Sequence, residues 1–167
     1  TITVVRNNDL KPGQFLLECL FIVECSAPAQ LQIGRFLPAT PIRILINQNL
    51  KDLTLAIEHR SLITNRTSFD QQKIVEFINN QREHITKMLA LAEASAKTEM
   101  QSLINDAAKT MLESLSAEIK RLVRLKKVNP TIKADEIEYL KDMTLLAHEH
   151  IQTAQIRLDA VRFLITS

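Results

Sequence analysis

Between Ser68 and Pro130 the sequence contains neither glycine nor proline, and Ala, Leu, Glu, Lys and Gln dominate the interval. Such a run predicts one long helix. Apolar residues recur at Ile85, Leu89, Ala92, Ala96, Met100, Leu103, Ala107, Met111, Leu115, Ile119 and Leu122, ten steps over 37 residues or 3.7 per step. That period suits a straight helix better than the 3.5 of a left-handed coiled coil. Ser68 followed by Gln71 has the spacing of a capping box, and Asn129-Pro130 supplies the stop. A helix of roughly 55 residues would be about 80 Å long, more than a small sheet can cover. After Pro130, Asp135 and Glu136 open a second helix with Ile137, Leu140, Ala147, Ile151 and Ala154 on one face. The short link makes the two helices antiparallel neighbours, so residues 68–156 read as a long helical hairpin.

Residues 1–67 are written in another period. Ile2, Val4 and Val5 open a strand, and Asp9 to Gly13 is a polar turn. From Gln14 to Ser26, Phe15, Leu17, Cys19, Phe21, Val23 and Cys25 alternate with Leu16, Leu20 and Ile22, with Glu18 and Glu24 among the latter. Apolar positions on both sides mark a central strand. Ile33 to Leu37 and Pro41 to Ile46 are two further extended pieces around a rigid corner at Pro38 and Pro41. Leu53, Leu55 and Ile57 alternate with polar residues as a half-exposed strand. Residues 157–166 alternate again and return to the sheet. The expectation is an α+β fold: a small antiparallel sheet of four to five strands, including a C-terminal strand, with the helical hairpin, in one domain over 1–167.

Composition narrows the chemistry. Gly13 and Gly34 are the only glycines of 167 residues, so no Gly-rich phosphate loop can form. Charge is nearly balanced, 21 Lys+Arg against 19 Asp+Glu, unlike a dedicated nucleic-acid binder. Cys19 and Cys25 lie roughly 20 Å apart along a strand, too far for a disulfide, and read as reduced thiols of a cytosolic protein. No stretch is apolar for long enough to span a membrane. The chain begins at Thr1 in strand-like sequence, which reads as a piece of a larger protein.

No nucleophile–base signature is present. His148 and His150 stand about 200° apart on a helix and cannot share a metal; no metal site and no catalytic residue is assigned. Lys120, Arg121, Arg124, Lys126 and Lys127 place five cations in eight residues, a candidate contact for phosphate or an acidic partner. A helix C-terminus also gathers cations through its macrodipole, and no aromatic residue is interleaved for base stacking. Arg35, Phe36, Pro38, Pro41 and Arg43 form a candidate docking corner, or a packed bend.

The stretch Ile33-Gly34-Arg35-Phe36-Leu37-Pro38-Ala39-Thr40-Pro41-Ile42-Arg43-Ile44-Leu45 resembles the C-terminal region of the RapA (HepA) family of bacterial RNA polymerase-associated, Swi/Snf-type ATPases. So do Val128-Asn129-Pro130-Thr131-Ile132, Ala134-Asp135-Glu136-Ile137 and Arg157-Leu158-Asp159-Ala160-Val161-Arg162, in the same order. Relatives are expected to carry a glycine-containing turn where this chain has Asn47-Gln48-Asn49-Leu50-Lys51. The resemblance implies a non-catalytic accessory domain of an ATP-dependent DNA translocase that promotes RNA polymerase recycling in transcription. Its ATP and Mg would belong to ATPase lobes upstream, with no cofactor in this stretch. Its partners would be core RNA polymerase and those lobes, with DNA reached through the parent protein, in the bacterial cytoplasm. The alternative is a free-standing structural protein that assembles through its long helices.

Overall fold

The computed structural model describes residues 2–5, 10–62, 67–68 and 71–166. Strands are β1 (Ile2–Val5), β2 (Phe15–Glu24), β3 (Thr40–Asn47), β4 (Thr67–Ser68) and β5 (Gln155–Thr166), and helices are α1 (Gln71–Asn80), α2 (Arg82–Lys126) and α3 (Ala134–Gln152). The strands form one sheet in the order β3-β2-β5-β1-β4. The chain groups into two compact units, Thr1–Ile22 with Pro41–Glu99 and Arg157–Ser167, and Val23–Thr40 with Met100–Ile156.

The sheet is mixed, not wholly antiparallel. β1 pairs antiparallel with β4 but parallel with β5, with Ile2 opposite Phe163 and Val5 opposite Thr166. Short turns alone would give antiparallel pairs, but β5 reaches the sheet only after the whole helical segment, and so long a connection permits either direction. Two expected strands are absent. Ile33–Arg35 is a 3₁₀ turn preceded by Gln32 at φ 49°, and it packs on α3 instead of a strand neighbour. Residues 53–57 form a turn in which the amides of Ala56 and Ile57 donate to the Leu53 carbonyl. There Asp52 Oδ1 accepts from the Thr54 amide at 2.8 Å, a local bond that competes with a strand ladder. β3 occupies a sheet edge, where Pro41 near its start removes no ladder bond that a neighbour requires.

The expected single helix is divided at Gln81 into α1 and α2, although Gln81 still donates to Phe77 O and Ile85 to Gln81 O. Ser68, read as its cap, lies in β4. The 45 residues of α2 span about 68 Å. Its buried stripe runs through Met88, Ala92, Ala96, Ile104, Ala107, Ala108 and Met111, which keeps the expected period and adds Met88, Ile104 and Ala108. On α3, Ile137, Thr144, Ala147 and Ile151 are buried.

Both faces of β2 are covered over its first half. Phe15 stacks on Phe163 at 5.7 Å and meets Phe77 edge-on at 5.1 Å. On the opposite face Leu16, Leu45 and Leu164 pack with Val5, Ile57 and Leu62. Cys19 and Cys25 are free thiols, and burial, reinforced by the Glu18 charge, pushes Cys19 up to about 12. Cys25 donates to the His150 carbonyl at 3.0 Å. After β3, Leu50 holds φ 59°, a left-handed conformation that costs a side chain roughly 1 kcal/mol and suits glycine. It falls in the segment where relatives were expected to carry glycine. The turn is held instead by Asn47, whose Oδ1 accepts from the amides of Asn49 and Lys51.

Candidate functional site

Alternation along three neighbouring strands builds a grid on one sheet face. β2 lies between β3 and β5. Glu18 bonds Arg43 and Arg162, and Leu16 shares a cluster with Leu45 and Leu164. Since residues two apart share a face, 16-18-20 on β2 face the same way as 45-43-41 on β3 and 164-162-160 on β5. The contacts rise from Gln14 and Phe15 to Glu18 as they fall from Gln48 to Arg43 and from Thr166 to Arg162, the order of antiparallel neighbours. The first row, Leu16, Leu45 and Leu164, is buried. The second row is charged: Glu18, Arg43 and Arg162.

A carboxylate in a buried strand requires partners, and Glu18 has three. Arg43 Nε donates to Oε1 at 2.6 Å, His59 Nδ1 to the same oxygen at 2.8 Å, and Arg162 Nε to Oε2 at 2.7 Å. An ionised carboxylate only accepts, so Nδ1 of His59 carries the proton. Side-chain exposure is 7% for Glu18, 19% for Arg43, 16% for Arg162 and 50% for His59. Burial alone would raise the Glu18 carboxyl. The hydrogen bonds from His59 and Arg43 and the charges of Arg162 and Arg43 together hold it below the ordinary carboxylate range. Arg43 Nη1 also donates to the carbonyls of Ile57 at 2.8 Å and Thr54 at 3.4 Å. Arg43 therefore pins the 53–57 turn over the first row.

Beyond the charged row lie Leu20, Pro41 and Ala160. With Glu18, Arg43, His59 and Arg162 they line an open cleft of about 500 Å³. Leu20 is half-buried, Pro41 and Ala160 exposed.

The structure places the sequence-derived candidates in three settings. Arg43 and Pro41 belong to this cleft. Arg35 is exposed, with its guanidinium 5.4 Å from the centre of the Phe36 ring and Nη1 donating to Gln32 Oε1 at 3.2 Å. Phe36 is half-buried and Pro38 exposed, its carbonyl accepting from Thr40 Oγ1. Lys120, Arg121, Arg124, Lys126 and Lys127 are all exposed at the C-terminal end of α2, among exposed Val123, Leu125 and Val128. Arg121 binds Glu118 through Nε at 3.1 Å and Nη2 at 2.7 Å, which lowers the carboxyl and raises the guanidinium. Glu18, His59 and Arg162 were not among the sequence candidates. The available signal was Glu18 itself, an acid inside a strand apolar on both sides. Among the described residues no group of three or more His, Cys, Asp and Glu is arranged to hold a metal.

Comparison with known proteins bears on the whole chain. Residues 1–166 match the family described as RNA polymerase recycling family C-terminal. The chain belongs to that family. It is 34% identical over 166 residues to the RNA polymerase-associated protein RapA of Yersinia pestis (strain Pestoides F), and equally to that of Yersinia pseudotuberculosis serotype O:1b (strain IP 31758). Each alignment covers 99% of this chain and 17% of the relative, so the chain spans about a sixth of the length of these RapA proteins. The RapA-family resemblance drawn from the proline corner, the inter-helix link and the last strand thus extends over the chain.

Proposed function

We propose that this chain is a non-catalytic accessory module of an RNA polymerase-associated, ATP-dependent DNA translocase, and that it acts through protein contacts. The carrying observation is the end-to-end match to the recycling family's C-terminal region, in relatives whose name records association with RNA polymerase. In this reading ATP hydrolysis and its Mg belong to lobes elsewhere in the polypeptide, and those lobes or core RNA polymerase meet this chain in the cytoplasm. No helix among the described residues is long and apolar enough to cross a membrane.

Two measurements test this. The full-length polypeptide, with and without this segment, should differ in affinity for core RNA polymerase or in the coupling of ATP turnover to polymerase release. The 167-residue chain alone should show no ATP turnover with or without DNA. Equal behaviour of the two full-length forms, or turnover by the isolated chain, overturns the proposal.

A further inference from the structure

From the grid on the sheet face we infer that the cleft beside Glu18 is a docking site for a partner polypeptide segment in which acidic residues alternate with apolar ones. The first half of this face shows what such a segment must do. There the chain's own 53–62 segment lays Ile57 and Leu62 on Leu16, Leu45 and Leu164, and its carbonyls accept from Arg43. On the second half, past the charged row, no described residue plays that part over Leu20, Pro41 and Ala160.

Charge fixes the chemistry of the occupant. Two guanidinium groups face one carboxylate, so the row is net positive before His59 is counted. Its hydrogen bonding is also incomplete. Nη2 of Arg43 is buried and has no acceptor among the described residues, whereas Nη2 of Arg162 pairs with Glu18 Oε2. A buried donor without an acceptor is unfavourable, and guanidinium prefers carboxylate as its acceptor. Both arginines line the cleft, so their positive charge draws an incoming carboxylate to it. A leucine-like side chain two positions along an extended segment would then lie on Leu20, Pro41 and Ala160. This inference concerns the site and the class of its occupant, and holds whichever larger polypeptide carries the chain.

The test is a titration of the isotopically labelled chain, followed by NMR, with a short capped peptide alternating leucine and glutamate. The Nε–H signals of Arg43 and Arg162 and the methyl signals of Leu20 and Ala160 should shift saturably. The glutamine counterpart should bind at least about tenfold more weakly, the loss of one charge-assisted pair. Ala160→Glu, at an exposed position, should abolish binding by offering the arginines an internal carboxylate. Pro41→Glu is the second variant should the first disturb the spectrum, and Leu55→Glu, at a fully exposed residue, should change nothing. The proposal fails if the glutamate peptide shifts none of these signals. It fails equally if the glutamine peptide binds as well, if Ala160→Glu and Pro41→Glu leave binding intact, or if inorganic phosphate alone gives the same shifts at the same concentration.

Discussion

Replacing Glu18 by glutamine removes one charge and keeps the shape, so it isolates what the carboxylate does. Glutamine offers one carbonyl oxygen where Glu18 accepts from Arg43 Nε, His59 Nδ1 and Arg162 Nε through two. Two guanidinium groups are then left facing each other in a largely buried row. Breaking a fully buried ion pair from one side costs about 3–5 kcal/mol. The arginines keep 16–19% of their side-chain surface exposed, and solvent screening reduces the expectation to about 2–4 kcal/mol. That is a roughly 30- to 700-fold change in the folding equilibrium. Tyr139 lies in the other compact unit, so its fluorescence is the wrong reporter; the native amide signals of β2 and β3 during urea unfolding are the right ones. The sign of the pH dependence follows from the lowered carboxyl. Its stabilisation is complete above the unfolded value of about 4.3 and disappears as pH falls through the lower folded value. The parent and Glu18→Gln should therefore differ most near neutrality and converge in strong acid. A difference below about 0.5 kcal/mol at pH 7, under the range for breaking such a pair, would refute the reasoning, as would a gap that persists undiminished in acid.

Leu50→Gly should raise stability by up to about 0.5 kcal/mol, the roughly 1 kcal/mol of released left-handed strain less the freedom glycine gains when unfolded. Leu50→Ala, which keeps the strain, should give no gain, and a Leu50→Gly urea midpoint no higher than that of Leu50→Ala would contradict the assignment of strain. Replacing Lys120, Arg124 and Lys127 together by glutamine should leave DNA affinity of the full-length polypeptide within about twofold, and a shallower salt dependence would show instead that these cations meet phosphates. Amides of residues 90–111, where buried alanines offer little area per turn, should exchange by local opening before those of Leu16 to Val23; simultaneous exchange would show one cooperative unit.

The helices were legible because their determinants are local. The glycine- and proline-free interval, its period and the Pro130 stop all lie within the sequence of each element. The division at Gln81, the start at Gln71 and the end of α3 at Gln152, which leaves Ala154 outside the helix and starts β5 at Gln155, differ from expectation. The short segments were not. Ile33–Arg35 and 53–57 carry strand-like alternation, yet their hydrogen bonds are taken by a left-handed Gln32, an Asp52 side chain and Arg43. Alternation states which residues share a side, and says nothing about whether a partner strand exists to complete the ladder.

The charged row was hidden for a related reason. Glu18, Arg43 and Arg162 are 25 and 144 positions apart as bonded pairs, and only the cross-strand register brings them together. Chain proximity pointed elsewhere, grouping Arg43 with Arg35 because both flank the proline corner. Pro41 ends that corner as the second residue of an edge strand, after which alternation carries Arg43 onto the face shared with Glu18. A one-residue slip of β3 or β5 would turn its arginine to the other face and leave Glu18 buried without it. The ion cluster therefore does more than compensate a buried acid: by penalising one-residue slips, it favours the register that also aligns Leu20, Pro41 and Ala160 as one open row.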